Sequence, residues 1–516
     1  GALDDTVWPS ILPTQAESWI GEQRVVLRRA GASSSPKFTV TNIETGGVLE
    51  ATLDAVSGES YTDVAGHARA TGPARVPGVI VTARDEEQGV EVEWHLELLP
   101  GGLARQKATV TNLFGADAGA QLEIGKIELG FPLPESAGEI LTTTGHHLRE
   151  RSPQRQPLTV GRFEKPQLAG RPDFDASLLL TAGVPGFSFE HGDAYSVHVA
   201  GAATPCCPPN VCLHNRRDRR RRTPVRRRSD ARRPRRRPEL LRHPVAVRLL
   251  WRWSQRDRRP IPLLRALPAP APVLARPSGD PQHMGSRVLR PQLRYAEGAR
   301  RQGRRLRRGT IRGGRRLVRL PPRRHLRLGD WQIAQDVWPD GPKSLKALAD
   351  YVHAKGMEFG LWFEPEMVNP DSDVARNHPD WILSPTTGRL PLQGRTQQVL
   401  DLTNPDAFDY IYGCMDQLVG ELGIDYIKWD HNKLVTEPGS RRSGRPAVHA
   451  QTLAVYNIFK GLKTAHPGLE IESCSSGGGR VDLGILEHAD RIWVSDCVDP
   501  VERADIPALH LAAGAA

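Results

Sequence analysis

The sequence predicts a large β-sandwich followed by a parallel β/α unit, with a segment between them that fits neither. Three observations lead there. Residues 1 to about 200 carry period-two or β-branched runs separated by Gly, Pro and Asp turns, with weak helical periodicity. From about residue 330, short apolar runs alternate with helix-like stretches, the mark of buried parallel strands. Residues 205–328 abandon both patterns for Arg and Pro.

In the first part the strand candidates are Lys37–Val40, Val79–Thr82, Val90–Leu98 and Lys107–Leu113. Strands without intervening helices pack sheet on sheet. In the last part the apolar runs are Phe359–Phe363, Gln398–Leu402, Tyr426–Trp429, Leu469–Glu472 and Ile492–Val494. Between most of them lie the helical candidates Pro342–Lys355, Asp406–Leu422, Ala450–Thr464 and Asp482–His488. That order fits a parallel sheet or a (β/α) barrel. Polar residues crowd the C-terminal end of each run: Glu364 and Glu366, Asp401, Lys428 and Asp430, Ser473 and Cys474, Ser495 and Asp496. In a barrel that end is the catalytic face.

Charge divides the chain in the same way. The net +11 of the 516 residues comes from one place. Gly201 to Leu328 holds 38 Arg, no Lys and 6 acidic residues, a net +32, whereas the rest carries −21. A basic nucleic-acid-binding arm is one reading of such a segment. Its want of lysine and its scarce aromatics, Trp251, Trp253 and Tyr295, argue against that. Arg, Pro, Ala, Gly and Leu are what GC-rich coding DNA yields in a wrong frame. No apolar stretch reaches 18 residues, so no membrane span is expected. The first residues show no basic region followed by an apolar core, so a cytoplasmic location is expected. The six cysteines show neither metal-ligand spacing nor disulfide-scaffold density.

Four constellations carry chemistry: Gly360–Asp373, Gly394–Leu402, Asp425–Lys433, and Glu472–Gly484 with Trp493–Asp499. Asp430 ends a strand, and Lys428, two residues earlier, points to the same face. A cation there favours an ionised carboxylate, as a nucleophile requires. A surface salt bridge is the plainer alternative. Asp496 also follows an apolar strand; alone it is an ordinary turn residue. Two strand-end carboxylates are the minimum for glycoside hydrolysis. The glycine run Ser475–Arg480 lacks phosphate-loop spacing and reads as close backbone approach to a ligand. Trp362 and Trp429 are either core or a flat face for a sugar ring. Cys474 reads as a pocket wall.

EPEMVNPDSD, GRTQQVLDL, KWDHNK, ESCSSGGGR and SDCVD, in that order, resemble glycoside hydrolase family 36, the bacterial α-galactosidase family that also holds raffinose-synthase-like transferases. GHHLRERSPQR at 145–155 is similar to part of that family's N-terminal supersandwich. The resemblance covers about 1–200 and 329–506. It implies a β-supersandwich over 1–204, an incomplete (β/α)8 TIM-type barrel over 329–506, an out-of-frame middle over 205–328 and an out-of-frame tail over 507–516. It implies Asp430 as nucleophile and Asp496 as acid/base, with Asp499 the weaker choice. Trp362, Arg395, Lys428, Cys474 and Gly477 match positions that line the galactose subsite. The resemblance implies no metal or cofactor and α-galactoside oligosaccharides as substrates. It implies no nucleic-acid or membrane partner, and often a homotetramer. The reaction implied is retaining hydrolysis of melibiose- or raffinose-type sugars; galactosyl transfer and Arg-rich nucleic-acid binding are the alternatives.

One departure is informative. The family carries a strand ending in DDGWF, and this chain shows none. Residues 314–322, GRRLVRLPP, can be coded GGA CGA CGG CTG GTT CGG CTC CCG CCG, which one base later reads DDGWFGSR. Gln282–Arg290 can likewise hide NTWEAVYF, 507–516 QRYTSLLVP, and 201–207 with Ala200 WSGNTVL. Frame errors near 201, near 328 and after Ile506, with at least one more between, are therefore expected. So are little activity and poor solubility for the chain as written.

Overall fold

The computed structural model describes residues 74–199 and 328–503 with short breaks. Outside those ranges it describes residues 36, 38–51 and the strands at 25–29, 61–62, 68–69, 210–215, 243–253 and 311–313. The shifted-frame matches at 201–207, 282–290, 314–322 and 507–516 lie outside the described residues.

Among the described residues the first part is all β, as the alternating runs predict. Its strands are β1 (Val25–Arg29), β2 (Thr39–Ala51), β3 (Tyr61–Thr62), β4 (Ala68–Arg69), β5 (Ala74–Asp85), β6 (Val90–Leu99), β7 (Leu103–Asn112) and β8 (Ile124–Leu129). Then follow β9 (Glu139–His146), β10 (Arg149–Pro157), β11 (Gly161–Pro166), β12 (Leu179–Gly183), β13 (Ala194–His198), β14 (Asn210–Asn215) and β15 (His243–Trp253). Nine form one antiparallel sheet in the order β10-β9-β12-β13-β15-β7-β6-β5-β2. The 2-residue side-chain period sends Val79, Trp94, Leu96, Ala104 and Tyr195 into one buried cluster. Inside the sheet Trp94 Nε1 donates to Gln106 Oε1 at 2.9 Å, and Arg105 pairs with buried Glu97.

The second part is a parallel sheet: β16 (Ile311–Gly313), β17 (Phe359–Phe363), β20 (Tyr426–Trp429), β21 (Glu470–Ser473) and β22 (Arg491–Ile492), in that spatial order. Between β17 and β20 lies a ribbon, β18 (Met367–Val368) with β19 (Gln398–Val399). Helix α1 (Pro342–His353) starts on a proline and buries Leu345, Ala349 and Val352, one face at spacings of four and three. Short helix α2 (Asp373–Asn377) is capped by Ser372. Helix α3 (Pro405–Leu422) is capped by Asn404 and stopped by Gly423 at φ 66, the left-handed end that glycine takes without strain. Helix α4 (Val448–Ala465) buries Val455, Ile458, Phe459 and Leu462. These faces join the strands in a single cluster that includes Phe359, Leu361, Ile427, Trp429 and Ile471.

Three local expectations change. Gln398–Leu402 is not a strand of the parallel sheet: β19 runs antiparallel to β18, and Asp401 accepts from the Thr403 N–H, closing the turn into α3. Asp482–His488 forms only a 3₁₀ turn over Ile485–Glu487, because the Asp482 carboxylate collects the N–H groups of Gly484 and Ile485 in a tight loop. The last strand is two residues, Arg491–Ile492, rather than Ile492–Val494. Within 205–328, β15 joins β13 to β7 and β16 pairs with β17, so pieces of that segment complete both sheets. The remainder of the segment apart from β14 and Leu328 lies outside the described residues.

Candidate active site

Register builds the site. Phe363 pairs with Trp429, Trp429 with Ser473, and Ser473 with Ile492. The residues that follow, Glu364, Asp430, Cys474 and Trp493, therefore emerge along one rim, at the carboxyl ends of the parallel strands.

Asp430 is 2% exposed and collects four donors. Oδ1 accepts from the N–H of His431 at 2.9 Å and of Ser476 at 3.2 Å; Oδ2 accepts from Asn432 Nδ2 at 2.8 Å and Trp362 Nε1 at 3.1 Å. Burial alone pushes this carboxyl up. The Asn432 hydrogen bond, the Lys428 charge, the Ser476 N–H and the Trp362 N–H outweigh it, and the net direction is down. Asp430 is held as an anion. Glu364, also buried, goes the other way: burial and the Asp430 charge push it up to about 7, against the pull of Asn432 and Arg395. Below about pH 7 the two neighbouring carboxyls thus differ in protonation, Asp430 ionised and Glu364 neutral.

Behind them stands a second buried pair. Glu366 accepts from Arg480 Nη1 at 2.6 Å and from Trp429 Nε1 at 2.8 Å, and His431 Nδ1 lies 3.2 Å from it. Burial would raise Glu366, but Arg480 and His431 hold it well below the usual carboxylate range. This network fixes the backbone of Asp430–Asn432 from below.

Asp496 lies past β22 and is half-buried. Trp493 Nε1 donates to its Oδ1 at 2.8 Å, and His147 Nε2 lies 3.0 Å from Oδ2. Two bridges bring Asp430 and Asp496 to one site. The first is the loop after β21: Ser476 N–H bonds Asp430, while a Cβ on Gly477, at φ 94, would sit 3.0 Å from the Asp496 nitrogen. The second is Lys428, whose charge acts on Asp430 and whose Nζ stands 4.2 Å over the Trp493 ring.

Of the other expected residues, Trp362 is 8% exposed and bonds Asp430, so its indole lies at the candidate nucleophile. Cys474 is buried, and burial, then the Asp430 charge, push its thiol well up. A neutral thiol is a wall, not a nucleophile. Arg395 lies exposed in the Gly394–Gln397 turn at φ 57, near enough for its charge to act on Glu364. Trp429 is fully buried and packs on Phe459 at 4.4 Å, so it is core.

The sequence reading did not single out Asn432, Ser476, Trp493 or the sandwich residues His147, Glu150 and Arg171. Arg171 Nη1 donates to His431 O at 2.7 Å and to Ser475 Oγ at 2.6 Å. Ser495 Oγ donates to Glu150 Oε2 at 2.6 Å. RER inside GHHLRERSPQR was the available signal, since charged side chains in an edge hairpin need partners. Among the described residues, no group of three or more His, Cys, Asp or Glu side chains could hold a metal, and no helix is long and apolar enough to cross a membrane.

The profile of the glycosyl hydrolase family 36 N-terminal domain matches residues 3–200, and that of the Melibiase family matches 323–510. An α-galactosidase of Escherichia coli is 31% identical over 454 residues, which are 83% of this chain and 59% of that protein. Alpha-galactosidase 2 of Pediococcus pentosaceus is 40% identical over 185 residues, 35% of this chain and 25% of that one. The chain thus spans less than two thirds of the curated relatives it matches. Among solved structures, a variant of the GH36 α-galactosidase AgaA of Geobacillus stearothermophilus in complex with raffinose covers 95% of this chain at a TM-score of 0.69 and 19% identity. This chain covers 66% of that one. The α-galactosidase of Lactobacillus brevis gives a TM-score of 0.66 at 21% identity, covering 95% of this chain and 64% of its own. At such identities the likeness is one of fold: an N-terminal sandwich and a catalytic barrel.

Proposed function

This chain belongs to glycosyl hydrolase family 36, and on that premise we propose that its site cleaves terminal α-galactose from sugars of the melibiose and raffinose type, by double displacement with retention. Asp430 attacks the anomeric carbon, and Asp496 protonates the leaving oxygen and then takes a proton from water. The observation that carries this reading is the state of Asp430: a strand-end carboxylate that four donors and a nearby lysine keep ionised despite burial. A nucleophile needs that state, and an indole at its side suits the apolar face of a sugar ring. Relatives named for α-galactosidase activity and the raffinose and stachyose complexes of AgaA support the substrate class.

Because turnover of this chain is expected to be slow, the test is a single-turnover one. A 2-deoxy-2,2-difluoro-α-galactoside with a good leaving group should leave one galactosyl-type adduct on the peptide containing Asp430, read by mass spectrometry. Asp430→Asn should lose the adduct and roughly three to five orders of magnitude in rate. An adduct on another residue, or none while the folded chain binds galactose, sinks the assignment.

The Arg-rich middle we read as out of frame. The two family profiles stop at 200 and resume at 323, close to the composition breaks at 201 and 328. In the shifted frame DDGWF would begin directly after β16 in sequence, where a strand-end aspartate pair is expected, and this supports the reading. Sequencing the coding DNA decides it. Codons at 314–322 that do not contain GAC or GAT twice, then GGN TGG TTY, in a shifted frame end the idea.

A further inference from the structure

We propose that His147, carried by the sandwich hairpin, is the positioning residue of the acid/base: its ring holds Oδ2 of Asp496, the oxygen that delivers the proton. This rests on the assignment of Asp496 above and adds a residue from the other domain to it. Each oxygen of Asp496 has one nitrogen neighbour, Trp493 Nε1 on Oδ1 at 2.8 Å and His147 Nε2 on Oδ2 at 3.0 Å. An indole nitrogen is a donor and nothing else. Oδ1 is therefore an acceptor in every protonation state, and we assign the proton that moves to Oδ2, whose neighbour His147 can be donor or acceptor.

The tautomer of His147 then decides where that proton points. With Nε2 bare, the Oδ2–H is spent on the imidazole. With Nε2 protonated, the ring donates to a lone pair of Oδ2 and leaves the O–H free for the leaving oxygen. We assign the second form. In the first step the Oδ2 proton passes to the glycosidic oxygen while the C1–O bond breaks and Asp430 bonds C1. In the second, water attacks C1, the Asp430–C1 bond breaks, and the water proton returns to Oδ2. His147 keeps its proton throughout.

Both clamps are braced. Trp493 is held by two cations, Lys428 at 4.2 Å and Arg503 at 5.0 Å from its ring centre. Arg503 also donates to the Ser495 and Cys497 carbonyls at 3.1 and 2.8 Å. His147 lies against Phe174, with ring centres 5.9 Å apart. The hairpin tip is pinned by the Arg151 backbone N–H to Phe174 O at 2.9 Å and by Ser495 Oγ to Glu150 at 2.6 Å. Gly145 permits that docking, since a Cβ there would sit 2.4 Å from Phe174 O. The titratable and charged groups around Asp496 are thus His147, Glu150, Lys428 and Arg503, with Arg149 turned to Glu502 at 3.7 Å.

The test compares two leaving groups on the full chain. A 2,4-dinitrophenolate departs without a proton, whereas the glucose of melibiose needs one. His147→Ala should lower the ratio of galactosyl-enzyme formation rates, melibiose over dinitrophenyl galactoside, by about 10- to 100-fold. His147→Gln, which keeps a donor, should restore it to within a few-fold. An unchanged ratio in His147→Ala overturns the proposal, because loss of fold alone would slow both substrates together. Asp496→Ala run alongside separates the two levels. If it too leaves the ratio unchanged, the acid/base assignment fails; if it lowers the ratio and His147→Ala does not, only His147 falls. A readout independent of turnover is the ring-nitrogen NMR signal of His147, identified by its loss in His147→Gln. Asp496→Asn should shift it, and a signal that stays in place overturns the contact.

Discussion

At the scale of single residues, the candidate site shifts two neighbouring carboxyls in opposite directions, Asp430 down and Glu364 up. Glu364 receives the Asn432 N–H at 2.7 Å and Gln397 Nε2 at 3.0 Å, yet burial and the Asp430 anion push it from 4.5 up to about 7. The consequence for stability has a definite sign. Below pH 4.5 this glutamate is neutral folded and unfolded. Between 4.5 and 7 the folded chain holds a proton that the unfolded chain has released, so raising the pH favours unfolding; above 7 the effect levels off. The contribution is about 3 kcal/mol at most. Glu364→Gln should therefore gain stability over the parent as pH rises from 5 to 7.5, in denaturant melts at each pH. Its amide has a partner waiting, since Gln397 Oε1 has none. A gap between the two proteins that does not widen with pH removes Glu364 as the neutral member of the pair.

At the scale of elements, parallel register does what no single residue can. Equal offsets along β17, β20, β21 and β22 bring their ends to a common rim. The loop after β21 then runs between the two candidate catalytic aspartates. Gly477 is pressed from the other domain: at φ 94 a side chain is strained, and a Cβ would meet Glu150 Oε1 at 2.7 Å and the Asp496 nitrogen at 3.0 Å. Gly477→Ala should cost roughly 1–3 kcal/mol in thermal unfolding and displace Asp496 relative to Asp430. A variant with the parent's melting point would show that the loop is not pressed between the domains.

At the scale of the whole molecule, the sandwich is part of the site rather than a neighbour of it. Arg171 is 4% exposed and reaches His431 O and Ser475 Oγ, in the two segments that frame the candidate nucleophile. Arg151, fully buried, donates to Val481 O at 3.2 Å. Burial of a guanidinium is costly unless its hydrogen bonds are made, so these residues fix the two domains in one relative placement. Restoring the reading frame across 205–328 should therefore raise both solubility and galactoside turnover, measured on the two purified proteins. Equal values would mean that the Arg-rich segment disturbs neither.

By itself the sequence determined the two sheet types, the helices α1, α3 and α4 and the family, and it singled out Asp430 and Asp496 as candidates, because periodicity and short motifs are local properties of the chain. It misassigned Gln398–Leu402 to the parallel sheet, since a short apolar run reads the same in a ribbon as in a barrel strand. Only the tertiary structure decided which partners reach the two aspartates: Asn432 and Ser476 on one, Trp493 and His147 on the other. His147 and Asp496 stand 349 residues apart. Contacts at that separation are set by how one domain docks on another, and no periodicity records them.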